Sequence, residues 1–366
     1  MAKQALQQTT AERIVVDEII LDGRKVAVRS EEIPVEQLRL DPRNPRIANT
    51  IALRIDTAGE FEQAIENLLW SDPEVHELYR QVLVNQGLIE RIIVKPDYTV
   101  VEGNCRLVVY RKLRENQARD PRWRQIPSRV LPGDISEREI ALLLAQLHVQ
   151  GKNKWSPFEK AGHVFRLHRD FVLTQEEIAV RLRMSKSKVN QMIRAFEAMQ
   201  NVYLKRYADP ASVHKYSYFE ELFKKPELRD WATSSSENVR RFAAWVGEGK
   251  VSQGMQVRDL PTILADDEAF AAFERGGYFE ARKVLEQDDP TLSSPLFRKM
   301  AEMTDALRDA RLDDINRARL DGSRAARRIV ADLREALRRF MALTGADEEP
   351  DGDAGPAHRP ERKIRL

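Results

Sequence analysis

Cysteine is almost missing from this chain: Cys105 is the only one in 366 residues, which excludes an intrachain disulfide and any thiolate-rich zinc site. Histidine is sparse too. His163 and His168 stand five apart and do not share a helix face as an i,i+4 ligand pair would, so the residues call for no metal. No run of about eighteen apolar residues occurs, and the opening MAKQALQQTT lacks the apolar core of a signal peptide. The expectation is a soluble, unexported, cytoplasmic protein without a membrane partner. Net charge is small, +2, and decides little about partners.

What is present is more telling. Hydrophobic residues make up 42%, enough for packed cores, and the length suggests about two or three domains. Charge is unevenly spread: between Lys152 and Arg206 stand twelve Lys/Arg against five Asp/Glu, an excess suited to neutralising phosphates. Inside it lies QEEIAVRLRMSKSKVNQMIR, residues 175–194. Its apolar positions Ile178, Ala179, Leu182, Met184, Val189, Met192 and Ile193 form two helical stripes that meet across a short bend, the pattern of a helix-turn-helix. Thr174 with Glu177 predicts a capping box for the first helix, and Ser185 is the cap of the second. Arg183 occupies the turn position where glycine bends most easily. On the second helix Lys186, Lys188 and Arg194 are candidates for phosphate contacts and Ser187, Asn190 and Gln191 for base edges, with Ser185 at the helix start.

Upstream, RIVVDEIILDGRKVAVR predicts a hairpin about Asp22-Gly23, added at the edge of the first domain. IPVEQLRLDPRNPRI runs into a loop stiffened by two prolines that carries Arg43 and Arg46. Residues 60–86 predict two helices broken at Ser71-Asp72-Pro73. A strand at Ile92–Lys95, a turn at Pro96-Asp97, a strand at Thr99–Glu102 and a helix from about Asn104 follow. A strand that passes through Gly103 into a helix leaves amides and the positive helix end at one point, an anion site that Arg106 could strengthen. The opposing account pairs Arg106 with Glu102 and leaves the glycine to make a tight turn. Cys105 is read as a small residue packing the helix. Farther on, Tyr216, Tyr218, Phe219 and Phe223 are assigned to helix packing, as are Trp155 and Phe158.

The succession of IPVEQLRLDPRNPRI, QGLIERIIVKPD, VVEGNCRLVVYRKL, SPFEKA and the helix pair resembles the ParB family of plasmid and chromosome partition proteins, over about residues 33–200. The resemblance implies three segments that bind CTP and magnesium: a Pro-Arg loop, a Gly-Glu-Arg-Arg phosphate motif and a Glu-Asn-x-x-Arg motif. The first stands here as Asp41-Pro42-Arg43-Asn44-Pro45-Arg46. The second keeps Gly103 and Arg106, with Asn104 and Cys105 between them. The third departs, because Leu147-His148-Val149-Gln150-Gly151-Lys152 offers no carboxylate for a metal. Sulfiredoxins share the small fold, but their cysteine directly follows the glycine. Cys105 lies one place later, about 100° round the helix.

The reading is thus an α+β ParB/sulfiredoxin-like N-terminal domain followed by all-α helix-turn-helix and helical C-terminal regions. Expected bounds are 1–32 for the hairpin extension, 33–135 for the α/β domain, 136–205 for the helix-turn-helix domain and 206–293 for a helical domain. Long helices at 294–345, with an apolar edge from Ile329 to Phe340, imply a homodimer, and 346–366 a disordered tail. The expected function is sequence-specific binding of double-stranded DNA, of partition or regulatory type, at a nucleoid or plasmid. Arg43, Arg46, Gly103, Asn104 and Arg106 would hold CTP or another nucleoside triphosphate without robust catalysis. The alternative is an enzyme of the same fold: a CTP hydrolase, a nuclease or a small-molecule kinase.

Overall fold

Strands β1 (Val15–Leu21) and β2 (Arg24–Pro34) turn about Asp22 and Gly23, whose φ values of 46° and 82° are both left-handed, the backbone of a two-residue hairpin. Leu21 faces Arg24 and Val15 faces Ser30. In this computed structural model the described residues are 15–44, 61–150, 155–207, 210–289, 294–308 and 324–345. They fall into two units, Met1–Gly247 and Glu248–Leu366. The 346–366 segment read as a tail lies outside the described residues.

The hairpin opens a six-stranded mixed sheet in the first unit, ordered β1-β2-β6-β4-β5-β3, with β3 at Arg39–Leu40, β4 at Ile92–Val94, β5 at Thr99–Glu102 and β6 at Gln125–Val130. The β4–β6 and β3–β5 pairs are parallel. Side chains alternate between the sheet faces and separate two cores. Ile92, Val94 and Val100 point into the larger one, with Leu107, Leu113 and Trp123, while Ile93 and Val101 point into the other, with Leu21, Leu143 and Trp155. Every residue of β4 is therefore buried, as a central strand covered on both faces requires.

Helices α1 (Phe61–Trp70), α2 (Pro73–Asn85) and α3 (Asn104–Asn116) cover the first face, and α4 (Glu137–Ala145) the second. The break between α1 and α2 falls where Asp72 caps the α2 amide of Glu74 and Pro73 fills the first turn. The buried Glu66 of α1 receives Arg111 at 2.9 Å and Lys112 at 3.1 Å from α3, and Arg111 also reaches the Leu38 carbonyl at 2.9 Å. A carboxylate out of water is tolerable only with such partners.

Three further helices follow: α5 (Pro157–Arg169), α6 (Gln175–Arg181) and α7 (Lys186–Ala198), the last continued by a π-turn at Met199–Tyr203. Helices α8 (Tyr216–Leu222), α9 (Pro226–Ser234) and α10 (Ser236–Gly247) complete this unit. Phe158 packs on Phe196 at 5.0 Å and Tyr203 on Phe219 at 5.6 Å, so the aromatic residues of this region form a core. The second unit contains α11 (Leu260–Ala265), α12 (Asp267–Gly276), α13 (Tyr278–Asp288), α14 (Pro295–Arg308) and α15 (Arg324–Thr344). Among the described residues no helix is long and apolar enough to cross a membrane.

Candidate nucleic-acid interface and ligand cleft

The chain leaves β5 through Gly103, at φ 106°, and enters α3 at once. A side chain at this position would place its Cβ 2.5 Å from Ile92 Cγ2, so packing and backbone both demand glycine. No side chain caps α3, and no acidic residue occupies its first turn. This terminus opens into a cleft of about 490 Å³ whose lining includes Asn44, Glu74, Glu90, Glu102, Cys105 and His148.

Of the expected ligand-binding residues, Arg43, Gly103, Asn104 and Arg106 have definite places here. Asn104 is buried and structural: its Oδ1 accepts the Asp41 amide at 3.1 Å and its Nδ2 donates to the Val100 carbonyl at 3.2 Å, tying the Pro-Arg loop to β5. Arg106 is spoken for. Its Nη2 donates to Glu102 Oε1 at 2.7 Å, and its Nη1 to the carbonyls of Glu90 and Arg91 at 2.8 and 3.1 Å. Of the two accounts open at the sequence level, the ion pair with Glu102 is the one observed. Arg43 is exposed, 3.5 Å from Asp41 and 3.3 Å from Glu137, and Arg46 lies outside the described residues. Glu74, Glu90 and Glu102 surround this committed arginine, so carboxylates line the cleft beside the start of α3. Cys105 is half-buried and packs against the larger core as well as lining the cleft.

In the wall of the cleft, His148 stacks on Trp155 with ring centroids 4.2 Å apart, and its Nε2 lies 3.7 Å from Glu102 Oε1. Trp155 meets His163 edge-on at 5.2 Å. His163 Nε2 donates to the Ala141 carbonyl at 2.8 Å, so its Nδ1 is the acceptor for Arg166 Nη2 at 3.2 Å. Burial pushes the His163 imidazole down to about 3, and the Arg166 guanidinium pushes the same way. Arg166 donates onward to the Arg43 carbonyl at 2.7 Å and so joins α5 to the Pro-Arg loop; burial holds its pKa below the usual arginine value. The sequence carries no signal for this residue, since an arginine in FRLHR looks like an ordinary surface position.

Helices α6 and α7 are joined by Leu182, Arg183 and Met184, with Arg183 at φ 48°, the left-handed turn position. Thr174 and Glu177 form the reciprocal cap, and Ser185 accepts the Lys188 amide at 3.1 Å. The polar positions of α7 divide into two groups. Lys186, Ser187 and Arg194 are exposed and Asn190 half-exposed along one face. Gln191 is a correction: it is 8% exposed, and its Nε2 donates to the Glu220 carbonyl of α8 at 2.8 Å, so it cannot reach base edges. Lys188 is likewise paired with the Glu220 carboxylate. Lys186 makes a solvent-exposed pair with Glu176 at 3.3 Å, the kind that contributes little and exchanges readily.

No family model matches the chain, and no curated protein matches it. Solved structures do. The C-terminally truncated chromosome-partitioning protein ParB from Caulobacter crescentus, complexed to the centromeric parS site, is 18% identical over 60% of this chain and 100% of its own, with a TM-score of 0.30. The same protein complexed with CTP-gamma-S is 18% identical over 62% of this chain and 98% of its own, with a TM-score of 0.21. A Pnob8-like ParB-N domain is 12% identical over 65% and 98%, with a TM-score of 0.34.

Proposed function

We propose that this chain is a sequence-specific duplex-DNA-binding protein of partition or regulatory type, in which α6 and α7 act as a helix-turn-helix. The supporting observation is the exposed face of α7, where Lys186, Ser187, Asn190 and Arg194 stand side by side after a Ser185 cap and a left-handed turn. Three kinds of donor on one side of a helix that starts at a sharp turn match what a major groove accepts: cations for phosphates, amide and hydroxyl groups for base edges. The surrounding excess of Lys and Arg supplies the longer-range attraction. The cleft at Gly103 is assigned to a nucleoside triphosphate held by the α3 amides, and a place at a nucleoid or plasmid follows from the duplex ligand.

Selection of duplexes from a random pool, followed by titration across salt concentrations, tests the reading. The wild type is expected to enrich a defined site, and Arg194→Ala to weaken binding and flatten the salt slope by about one counterion. Absence of saturable duplex binding at low salt overturns the proposal. Unchanged affinity and slope in Arg194→Ala and Lys186→Ala together move the surface off α7.

A further inference from the structure

Helices α5, α6 and α7 enclose a shallow concavity of about 510 Å³ whose lining includes His168, Arg169, Gln175, Asn190 and Arg194. A chain of side chains crosses it. Arg194 Nε donates to Asn190 Oδ1 at 3.1 Å, and Asn190 Nδ2 donates to Gln175 Oε1 at 3.1 Å. Arginine has donors only, so the oxygen of Asn190 must face Arg194. Its amide nitrogen then faces Gln175, which must present its own carbonyl. The orientation of both amides follows from the chemistry of one guanidinium.

This arrangement leaves Asn190 with one N–H and one oxygen lone pair unspent, on a half-exposed side chain of the α7 face. One donor beside one acceptor is the complement of adenine in the major groove, which offers the N7 acceptor and the N6 donor. Guanine offers two acceptors, O6 and N7, and would set one of them against the asparagine oxygen. We propose that Asn190 reads an adenine and that Gln175 is the positioning residue that holds its amide in the reading orientation. The inference rests on the proposed DNA-binding role and adds the base and the second residue to it. Arg194, exposed on the same face, is assigned to the neighbouring phosphate. Gln175 acts through Asn190 alone.

The test compares base preferences, not only affinities, for full-length wild type and variants selected on random duplexes. Wild type is expected to enrich adenine at a defined position of the selected site. Asn190→Ala should lower that preference roughly tenfold to a hundredfold at that position and spare the others. Asn190→Asp keeps the acceptor for Arg194 but has no donor for adenine, so its preference should move toward cytosine, whose N4 amine donates. Gln175→Leu should blur the same adenine position, whereas Gln175→Glu keeps an acceptor for Asn190 and should retain the adenine while its charge weakens all sites alike. A brace with no part in reading would leave the base preferences of all four variants as in wild type, and that result overturns the inference while the DNA-binding role stands. A wild type that enriches no duplex overturns both.

Discussion

His163 gives the plainest residue-scale prediction. Its ordinary value of 6.5 is pushed down to about 3 by burial first and by the facing Arg166 guanidinium second, with His148 acting in the same direction. The unfolded chain therefore binds the extra proton more readily than the folded one, and stability rises with pH across this interval. The contribution is complete above about 6.5 and is lost as pH falls toward 3. One such proton gives a slope of up to about 1.4 kcal/mol per pH unit. Urea midpoints of wild type and His163→Gln between these limits check it. Glutamine can keep the donor to Ala141 and the acceptor for Arg166 without titrating, so the variant should show a flatter acid limb. An acid limb identical to that of wild type would assign the sensitivity to other groups.

At the scale of elements, the turn from β5 into α3 decides what the cleft can hold. Helix-start amides favour phosphate in general, and Arg106 adds no free charge here because Glu102 neutralises it. Calorimetric titration of CTP and ATP is expected to give saturable but modest binding that Gly103→Ala removes, since a Cβ there collides with Ile92. Arg106→Ala should cost about 3 kcal/mol of stability, by leaving the mostly buried Glu102 without its partner, and change affinity far less. Loss of nucleotide binding in a stably folded Arg106→Ala protein would show that the arginine leaves Glu102 for the ligand. Phosphate release measured alongside is expected to stay slow with or without DNA. Fast, magnesium-dependent turnover would restore the enzyme reading.

At the scale of the whole molecule, the second unit ends in a 21-residue helix with none of its residues buried. Phe340 meets Phe297 of α14 at 6.1 Å, yet Ile329 and Leu343 remain 67% and 78% exposed along the apolar side. Each such side chain contributes about 1.5–3 kcal/mol when fully covered, and a second copy of the chain brings an equivalent apolar edge. Sedimentation at micromolar concentration is expected to show a dimer for the full chain and a monomer for a truncation ending near Ser294 or for Leu337→Glu. A monomeric full-length chain at that concentration rules the dimer out.

The elements that could be read from the residues are those whose cause lies within a few positions. Asp22-Gly23 closes a hairpin because its neighbours cannot take two left-handed residues so cheaply, and Thr174 with Glu177 starts a helix because backbone amides need acceptors at that spot. Gly103 between β5 and α3, and the break at Asp72-Pro73, belong to the same class. Which polar side chains remain available is a different matter. Gln191 and Asn190 are neighbours of similar chemistry, but α8 covers one and captures it through Glu220, 29 residues away, while the other faces the concavity with Gln175. Arg106 could equally have faced a ligand until the fold brought Glu102 and two carbonyls around it. Backbone hydrogen bonds are satisfied locally and leave local marks; the desolvation and pairing of a side chain depend on which distant helix packs over it, and only the folded arrangement decides that.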